Sequence, residues 1–222
     1  MNGAIPNTIK ALTKLRMIEF ATMPSLYGTL EPITQIVTLR RLCICRCQIT
    51  GPIPEAIGNL SELEELQLFG NKLQGIIPES LGKLSKLKLL SLGEYTGGNN
   101  FKAGPIPSCI QNLHQLEALF LSSCNLTGTV PEWLSTLTEL RQVDLQNNHL
   151  GGLVSHSTFA GLSNLLYLNL KDNRKLCGPL PVRALASLRK LNRLSFVNTD
   201  FEVPADLLPY LKSKLPTCKV WM

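Results

Sequence analysis

The sequence predicts a right-handed α/β solenoid, with a concave parallel β-sheet of about eight strands and short helical or 3-10 turns on the convex side. Three observations lead to this fold class. Leucine supplies 43 of the 222 residues, the motif LxxLxL recurs at a nearly constant spacing, and 16 glycines and 14 prolines interrupt the chain. A leucine-rich coiled coil is excluded because each proline inside a helix costs about 3 kcal/mol.

The motif LxxLxL sets the length of one coil. Its copies begin at Leu15, Leu39, Leu63, Leu87, Leu116, Leu140, Leu165 and Leu191, with steps of 24, 24, 24, 29, 24, 25 and 26 residues. One coil cannot bury its leucines alone, whereas stacked coils bury a continuous core. We therefore predict a single domain, 1–222, with a partial N-terminal coil at 1–14, repeats that start at 15, 39, 63, 87, 116, 140 and 165, and a C-terminal capping repeat at 191–222.

Residues 63–86 show how one coil is built. Leu66 and Leu68 are two positions apart, so they share one face of a short strand. Pro78 begins a short helical turn. Between them lies Asn71, whose amide is predicted to bridge unpaired backbone groups from coil to coil. The equivalent position is occupied by Met23, Cys47, Asn71, Asn99, Cys124, Asn148, Asn173 and Thr199.

Two segments resemble the plant-type leucine-rich repeat: LQLFGNKLQGIIP at 66–78 and LTGTVP at 126–131. That repeat occurs in the ectodomains of receptor-like kinases and receptor-like proteins, and in polygalacturonase-inhibiting proteins. The resemblance covers nearly the whole chain. It implies a leucine-rich-repeat superhelix that binds a protein partner through its concave face in recognition, defence or signalling. It also implies two alternatives, an inhibitor of a secreted cell-wall hydrolase and a ligand-sensing receptor ectodomain fragment.

The side chains that point away from the predicted core form the candidate recognition face. They alternate with the inward leucines at period two. Exposed aromatic residues anchor many interfaces, so Phe69, Phe120 and Tyr167 carry the most weight. The predicted partner-binding residues are Arg41, Cys43, Cys45, Glu65, Gln67, Phe69, Leu89, Ser91, Tyr95, Phe120, Ser122, Gln142, Asp144, Gln146, Tyr167, Asn169, Lys171 and Arg193.

The fourth coil is five residues longer than the coils before it. The excess lies in residues 93–104, which contain Tyr95 and four glycines. Insertions in solenoids form loops, often beside the binding face. The glycines predict a loop that stays mobile until a partner binds. A tolerated insertion without function is the alternative, since the entropic cost of closing a loop grows only slowly with its length.

The chain shows no motif for catalysis or metal binding. HExxH, GxSxG and phosphate-loop patterns do not occur, so we predict neither an enzyme nor a cofactor. Cys43, Cys45 and Cys47 suggest a thiolate cluster. However, Cys47 lies past the strand on a different side, and we predict no metal site.

The formal net charge of +6 raises the question of nucleic acid. Charges at equivalent positions of successive coils alternate in sign, so we expect no nucleic-acid partner. A local attraction to acidic partners is expected near Arg40, Arg41 and Arg46. We expect a monomer without a transmembrane segment, since no apolar run approaches the roughly 18 residues that a span requires.

The sequence leaves two compartments open. There is no signal peptide as written, and the odd count of seven cysteines with exposed thiols at Cys43 and Cys45 favours the cytoplasm. If an N-terminal signal has been removed, the protein is extracellular or at the cell surface. Glycosylation is then expected at the sequons of Asn59 and Asn125. Cys177 and Cys218 could pair at the C-terminal end.

Overall fold

The computed structural model describes residues 3–222, where short strands alternate with single helical turns. The strands, numbered along the chain, are β1 (Gly3–Ala4), β2 (Met17–Ala21), β3 (Leu26–Gly28), β4 (Arg41–Cys45), β5 (Gln48–Gly51), β6 (Glu65–Gln67), β7 (Lys72–Gly75), β8 (Leu89–Ser91), β9 (Asn100–Phe101), β10 (Ala118–Phe120), β11 (Thr127–Gly128), β12 (Gln142–Asp144), β13 (His149–Gly152), β14 (Tyr167–Asn169), β15 (Lys175–Pro179), β16 (Arg193–Ser195), β17 (Asp200–Glu202) and β18 (Lys219–Trp221). The 3-10 helices are Asn7–Ala11, Ile33–Gln35, Glu55–Asn59, Glu79–Lys83, Ser108–Asn112, Glu132–Thr136 and His156–Phe159, and the α-helices are α1 (Val182–Ser187) and α2 (Leu207–Lys214).

The even-numbered strands form one parallel sheet in the order β2-β4-β6-β8-β10-β12-β14-β16-β18. The odd-numbered strands form two smaller parallel sheets, β1-β3-β5-β7-β9 and β11-β13-β15-β17. An isolated parallel bridge joins Gly104, after β9, to Leu126, before β11. The predicted right-handed α/β solenoid is confirmed. Its concave sheet has nine strands in the described residues, rather than about eight, and a second layer of strands flanks it.

The ninth strand lies in the C-terminal cap. In β18, Lys219 pairs with Arg193 and Trp221 pairs with Ser195 of β16. Leu215 follows Leu191 by 24 residues, and Cys218 and Val220 occupy the second and third leucine positions of the motif. The repeat period therefore reaches this strand, although the residues at two of the three positions are not leucine.

The core lies between the concave sheet and the helical turns. From Leu39 to Leu191, the first leucine of every motif copy is buried, and so are Leu66 and Leu68. Leu15, in the first coil, is only half-buried. Full burial of one such side chain contributes about 1.5–3 kcal/mol, so the repeated leucines stabilise the stack as a whole.

Buried asparagines join consecutive coils, as predicted. The Nδ2 of Asn148 donates to the carbonyl oxygens of Leu121 and Leu145 at 2.8 and 2.9 Å. Its Oδ1 accepts from the N–H groups of Cys124 and Leu126, each at 3.0 Å. Equivalent contacts are made by Asn71, Asn99 and Asn173.

Proline sets the start of the convex turn. Pro78 is extended, with φ −75° and ψ 143°, and directly precedes the 3-10 helix Glu79–Lys83. Leu81 and Leu84 then return to the core. Towards the C-terminus, α1 and α2 take the place of the 3-10 turns. None of the helices within residues 3–222 combines the length and apolar character needed to cross a bilayer. Met1 and Asn2 of the predicted first coil lie outside the described residues.

Candidate recognition face on the concave sheet

The predicted outward positions line up across the concave sheet. One row of consecutive strand partners contains Arg41, Glu65, Leu89, Ala118, Gln142, Tyr167 and Arg193. The next row contains Cys43, Gln67, Ser91, Phe120, Asp144, Asn169 and Ser195. Cys45, Phe69, Ser122, Gln146 and Lys171 follow at or just past the strand ends. The register of the first two rows is confirmed, while their part in binding stays a prediction.

The predicted partner-binding residues differ in how exposed they are. Gln142 and Arg193 are exposed, and Glu65, Gln67, Leu89 and Lys171 are half-buried. Six of the predicted residues are buried and form the floor of the face: Cys43, Cys45, Ser91, Ser122, Asp144 and Asn169. A partner that approaches this sheet therefore meets the longer side chains first.

Cys43 and Cys45 do not have the exposed thiols that we expected. Their side chains are 9% and 3% exposed, and the two sulfur atoms are 3.4 Å apart. Cys45 Sγ also approaches the carbonyl oxygen of Gln67 at 3.5 Å. Small side chains between longer neighbours are covered even on an open sheet. Burial raises the pKa of both thiols, which disfavours the reactive thiolate.

An aromatic cavity lies at the centre of the face. Its volume is about 310 Å³, and its lining includes Phe69, Tyr95, Phe120 and Asp144. Phe69 and Phe120 are half-buried, and Tyr95 is 57% exposed. The guanidinium of Arg46 lies 5.6 Å from the ring centroid of Phe69. Three of the predicted aromatic and loop residues therefore meet at one place.

The long loop of the fourth coil lies against the sheet rather than standing free. Glu94 accepts three hydrogen bonds from Arg46, at 3.3, 3.1 and 2.7 Å. On the other side, the ammonium of Lys171 lies 5.2 Å from the ring centroid of Tyr95. The Ser123 hydroxyl donates to the carbonyl oxygen of Tyr95 at 3.4 Å. These contacts connect the loop to coils on both sides of it and position Tyr95 at the cavity.

Asp144 supplies a buried carboxylate at the floor of the cavity. It is 8% exposed, and its Oδ2 accepts from the Tyr167 hydroxyl at 3.0 Å. Its Oδ1 accepts from the backbone N–H of Gln146 at 3.1 Å. Asn169 in turn donates to the Tyr167 oxygen at 2.9 Å. Burial, together with the Asp144 carboxylate, raises the pKa of Tyr167 to about 12.

No cationic side chain in residues 3–222 forms a salt bridge with Asp144. Lys171, on the neighbouring coil, instead places its ammonium 3.6 Å from Asp172. The cavity floor therefore offers a buried carboxylate whose hydrogen-bond donors in the described residues are all neutral groups. Sequence reasoning placed Asp144 on the face, but its hydrogen bonds depend on the register of β12 and β14.

The expected attraction of acidic partners near Arg40, Arg41 and Arg46 is not supported. Each arginine already pairs with a carboxylate of a later coil, at 3.8, 2.6 and 2.7 Å respectively. The partners are Glu64, Glu65 and Glu94. Alternation of charge between coils, which the sequence predicted, is the physical reason for the first two pairs, whereas Glu94 reaches Arg46 from the long loop of the fourth coil.

The remaining cysteine and sequon predictions fall outside this face. Cys177 and Cys218 are not bonded, because Cys177 belongs to β15 in the flanking layer while Cys218 precedes β18 in the concave sheet. Asn59 is exposed at the end of its 3-10 helix, whereas the amide of Asn125 donates to the Phe101 carbonyl at 3.1 Å. Glycosylation of either asparagine stays a prediction. Within residues 3–222, no cluster of three metal-ligating side chains is found.

Comparison with known proteins identifies the family. A model of the leucine-rich repeat region matches residues 7–156. The chain belongs to the leucine-rich repeat family. This leucine-rich repeat chain is 32% identical over 200 residues to Receptor like protein 28 of Arabidopsis thaliana, an alignment that covers 90% of the chain and 25% of that protein. It is also 32% identical over 155 residues to TMV resistance protein N of Nicotiana glutinosa, covering 69% of the chain and 13% of that protein.

A solved structure extends the likeness to three dimensions. The plant peptide hormone receptor RGFR1, in complex with RGF2, superposes with a TM-score of 0.87 and 30% identity, covering 100% of this chain and 34% of that chain. The resemblance to plant receptor-like leucine-rich repeat proteins is therefore confirmed. The chain spans a quarter of Receptor like protein 28 and about a third of RGFR1.

Proposed function

We propose that this leucine-rich repeat chain is a non-enzymatic recognition module that binds an extended segment of a protein partner across its concave sheet. The observation that carries the proposal is the central cavity, where Phe69, Tyr95 and Phe120 meet on the outward face of the concave sheet. The peptide hormone receptor to which the chain is similar supports the same class of ligand. The hydrolase inhibitor and the receptor ectodomain stay alternatives, since each would use this face.

The cavity suits an apolar side chain of the partner. Phe69 and Phe120 lie in adjacent outward rows and are half-buried, so they lose little conformational freedom on binding. Arg46 stacks on Phe69 while Glu94 holds its guanidinium, which keeps one wall of the cavity in place. Aromatic anchors in such pockets contribute a large share of binding energy.

Asp144 gives the cavity a chemical preference. Its carboxylate accepts hydrogen bonds from neutral groups but has no cation beside it within the described residues. A lysine, an arginine or a free amino terminus of the partner would supply the missing positive charge. The proposed ligand is therefore a peptide segment in which an apolar residue lies close to a basic group.

A random peptide library displayed on phage tests this proposal and does not require an identified partner. We expect selection on the immobilised protein to enrich peptides that combine apolar and basic residues. The double variant Phe69→Ala/Phe120→Ala should weaken the selected peptides by more than about 2 kcal/mol, because both anchors are removed. Fluorescence anisotropy of labelled peptides measures the affinity.

Tyr27→Ala is the matched control. Tyr27 is 56% exposed but belongs to β3 in the flanking layer, so its truncation should leave peptide affinity unchanged. Circular dichroism would verify that both variants fold. Equal affinity of the wild type and the Phe69→Ala/Phe120→Ala variant for every selected peptide would refute the concave site.

The charge preference has its own test. Asp144→Asn keeps the shape of the side chain and removes its charge. We expect the variant to bind the basic peptides at least about tenfold more weakly, a loss of about 1.4 kcal/mol. The salt dependence of binding should fall at the same time. If Asp144→Asn binds the same peptides with unchanged affinity and salt dependence, the basic group does not lie at this carboxylate.

A further inference from the structure

The net positive charge of the protein comes from its C-terminal end. Residues 1–170 contain twelve lysines and arginines and twelve aspartates and glutamates, whereas residues 171–222 contain ten and four. The difference of six equals the formal net charge of +6 for the whole chain. The first three quarters of the solenoid are thus neutral, and the last 52 residues carry the entire excess.

Ion pairing follows the same division. Six of the twelve cations before residue 171 form salt bridges: Arg40, Arg41, Arg46, Lys86, Lys88 and Arg141. After that point the described residues contain one salt bridge, between Lys171 and its neighbour Asp172. Within the described residues, the nine later cations have no carboxylate within 4.0 Å, so their positive potential is not cancelled locally.

Three of these unpaired cations surround one cavity. The cavity lies between α1 and α2 and has a volume of about 460 Å³. It is lined by Arg183, Ala186, Ser187, Arg189, Tyr210, Ser213 and Lys214. The ammonium of Lys214 also lies 6.0 Å from the Tyr210 ring centroid. The hydroxyls of Ser187 and Ser213 donate to helix carbonyls, so the donors left for a ligand are the three cations and the Tyr210 hydroxyl.

Helix stability does not account for this arrangement. Lys214 lies in the last turn of α2, where a cation interacts favourably with the helix carbonyls. Arg183, however, lies in the first turn of α1, which contains no acidic residue. A positive charge at that end of a helix is unfavourable. The helix termini therefore account for the position of Lys214 but not for that of Arg183, which lines the same cavity as Arg189.

We propose that the cavity between α1 and α2 binds a phosphate or sulfate group. Arginine presents planar, forked N–H donors that match the oxygens of these anions, while lysine acts as a point charge. Arg183 and Arg189 supply the forks and Lys214 the point charge. The group is carried either by a small solute or by a lipid headgroup at a membrane surface. This site is separate from the concave face and does not depend on the proposed peptide binding.

Isothermal titration calorimetry with inorganic pyrophosphate and with inorganic sulfate tests the site. The wild-type protein should bind at least one of the two anions. The double variant Arg183→Gln/Arg189→Gln should bind it at least about tenfold more weakly, because both forked donors are lost. The matched control is Lys10→Gln/Lys14→Gln, which removes the same charge from exposed, unpaired lysines in the first coil. Its affinity should equal that of the wild type.

Vesicles distinguish the two sources of the anion. Phosphatidylcholine vesicles containing phosphatidylinositol 4-phosphate are sedimented with each protein. Binding of the wild type that pyrophosphate displaces, and that Arg183→Gln/Arg189→Gln loses, assigns the site to a headgroup. Anion binding without vesicle binding assigns it to a solute. The proposal is overturned if the wild type binds neither anion nor vesicles, or if both double variants lose affinity equally, since that result would indicate diffuse charge.

Discussion

The coils from residue 39 to 170 and the last coils from 171 to 222 share one backbone plan but differ in how they treat charge. In the first region, five of the six salt bridges join residues that are 24 positions apart, which is one coil. In the second region, only Lys171 of the ten cations forms a salt bridge among the described residues, and Arg183, Arg189 and Lys214 line the cavity between α1 and α2. Repetition therefore neutralises charge only where each coil has a neighbour of opposite charge, and the C-terminal end keeps a net positive charge.

Removal of a coil-to-coil amide should produce the largest contrast between the two regions. Asn148→Ala deletes three donated and two accepted hydrogen bonds to neighbouring backbone. We expect a loss of at least about 3 kcal/mol in the free energy of unfolding, because buried backbone groups would lose their partners. Equilibrium urea unfolding followed by circular dichroism measures the loss.

Thr199→Ala is the matched change in the last coil. Thr199 makes one side-chain hydrogen bond, to the Phe196 carbonyl at 2.6 Å, so about 1 kcal/mol should be lost. Similar losses for Asn148→Ala and Thr199→Ala would contradict the idea that the central coils depend on contacts from both sides.

The next largest effect is a loss of stability at alkaline pH, which we expect from Tyr167 in the central coils. The pKa of Tyr167 is raised to about 12 by burial and by Asp144, above the value of about 10 for an unfolded tyrosine. Because the folded pKa is the higher one, the stability it contributes is complete below pH 10 and is lost as the pH rises towards 12. Urea unfolding at a series of alkaline pH values should show this loss, and the Tyr167→Phe variant should lack it. If the free energy of unfolding varies with pH in the same way for the wild type and for Tyr167→Phe, the contact between Asp144 and Tyr167 does not cause the loss.

The smallest predicted effect is a change in the thermal midpoint of unfolding, which should have opposite signs in the two regions. Arg41→Gln breaks a 2.6 Å salt bridge with Glu65, so it should lower the thermal midpoint slightly at low ionic strength. Arg189→Gln removes a cation from an unpaired cluster, so it should raise the midpoint slightly or leave it unchanged. Differential scanning calorimetry at low and high salt compares them. A lowered midpoint for both variants would mean that the C-terminal charges are compensated after all.

Much of the arrangement of the candidate recognition face could be predicted because the period converts sequence distance into strand register. Phe120 and Asp144 are 24 residues apart and are direct partners in the sheet. The exposure of Cys43 and Cys45 was not predictable in the same way, because it depends on the size of the side chains around them. The position of the Tyr95 loop depends on Glu94 reaching Arg46, 48 residues earlier, and no local pattern encodes that contact.

The positive charge of residues 171–222 is visible in the sequence. It does not show when only equivalent positions at the coil edges are compared. Counting charges by region reveals the excess after residue 170. Only the structure, however, shows that α1 and α2 bring Arg183, Arg189 and Lys214 to one cavity, since these residues span 32 positions of irregular spacing.

The sequence by itself determined the solenoid, the length of its coils, the leucine core and the order of side chains along the concave rows, because a repeated spacing places equivalent residues in equivalent positions. The tertiary structure decided which of those side chains are covered, which charges meet and where cavities open. Those properties depend on contacts between side chains of different coils, whose sizes, charges and distances vary although the period does not.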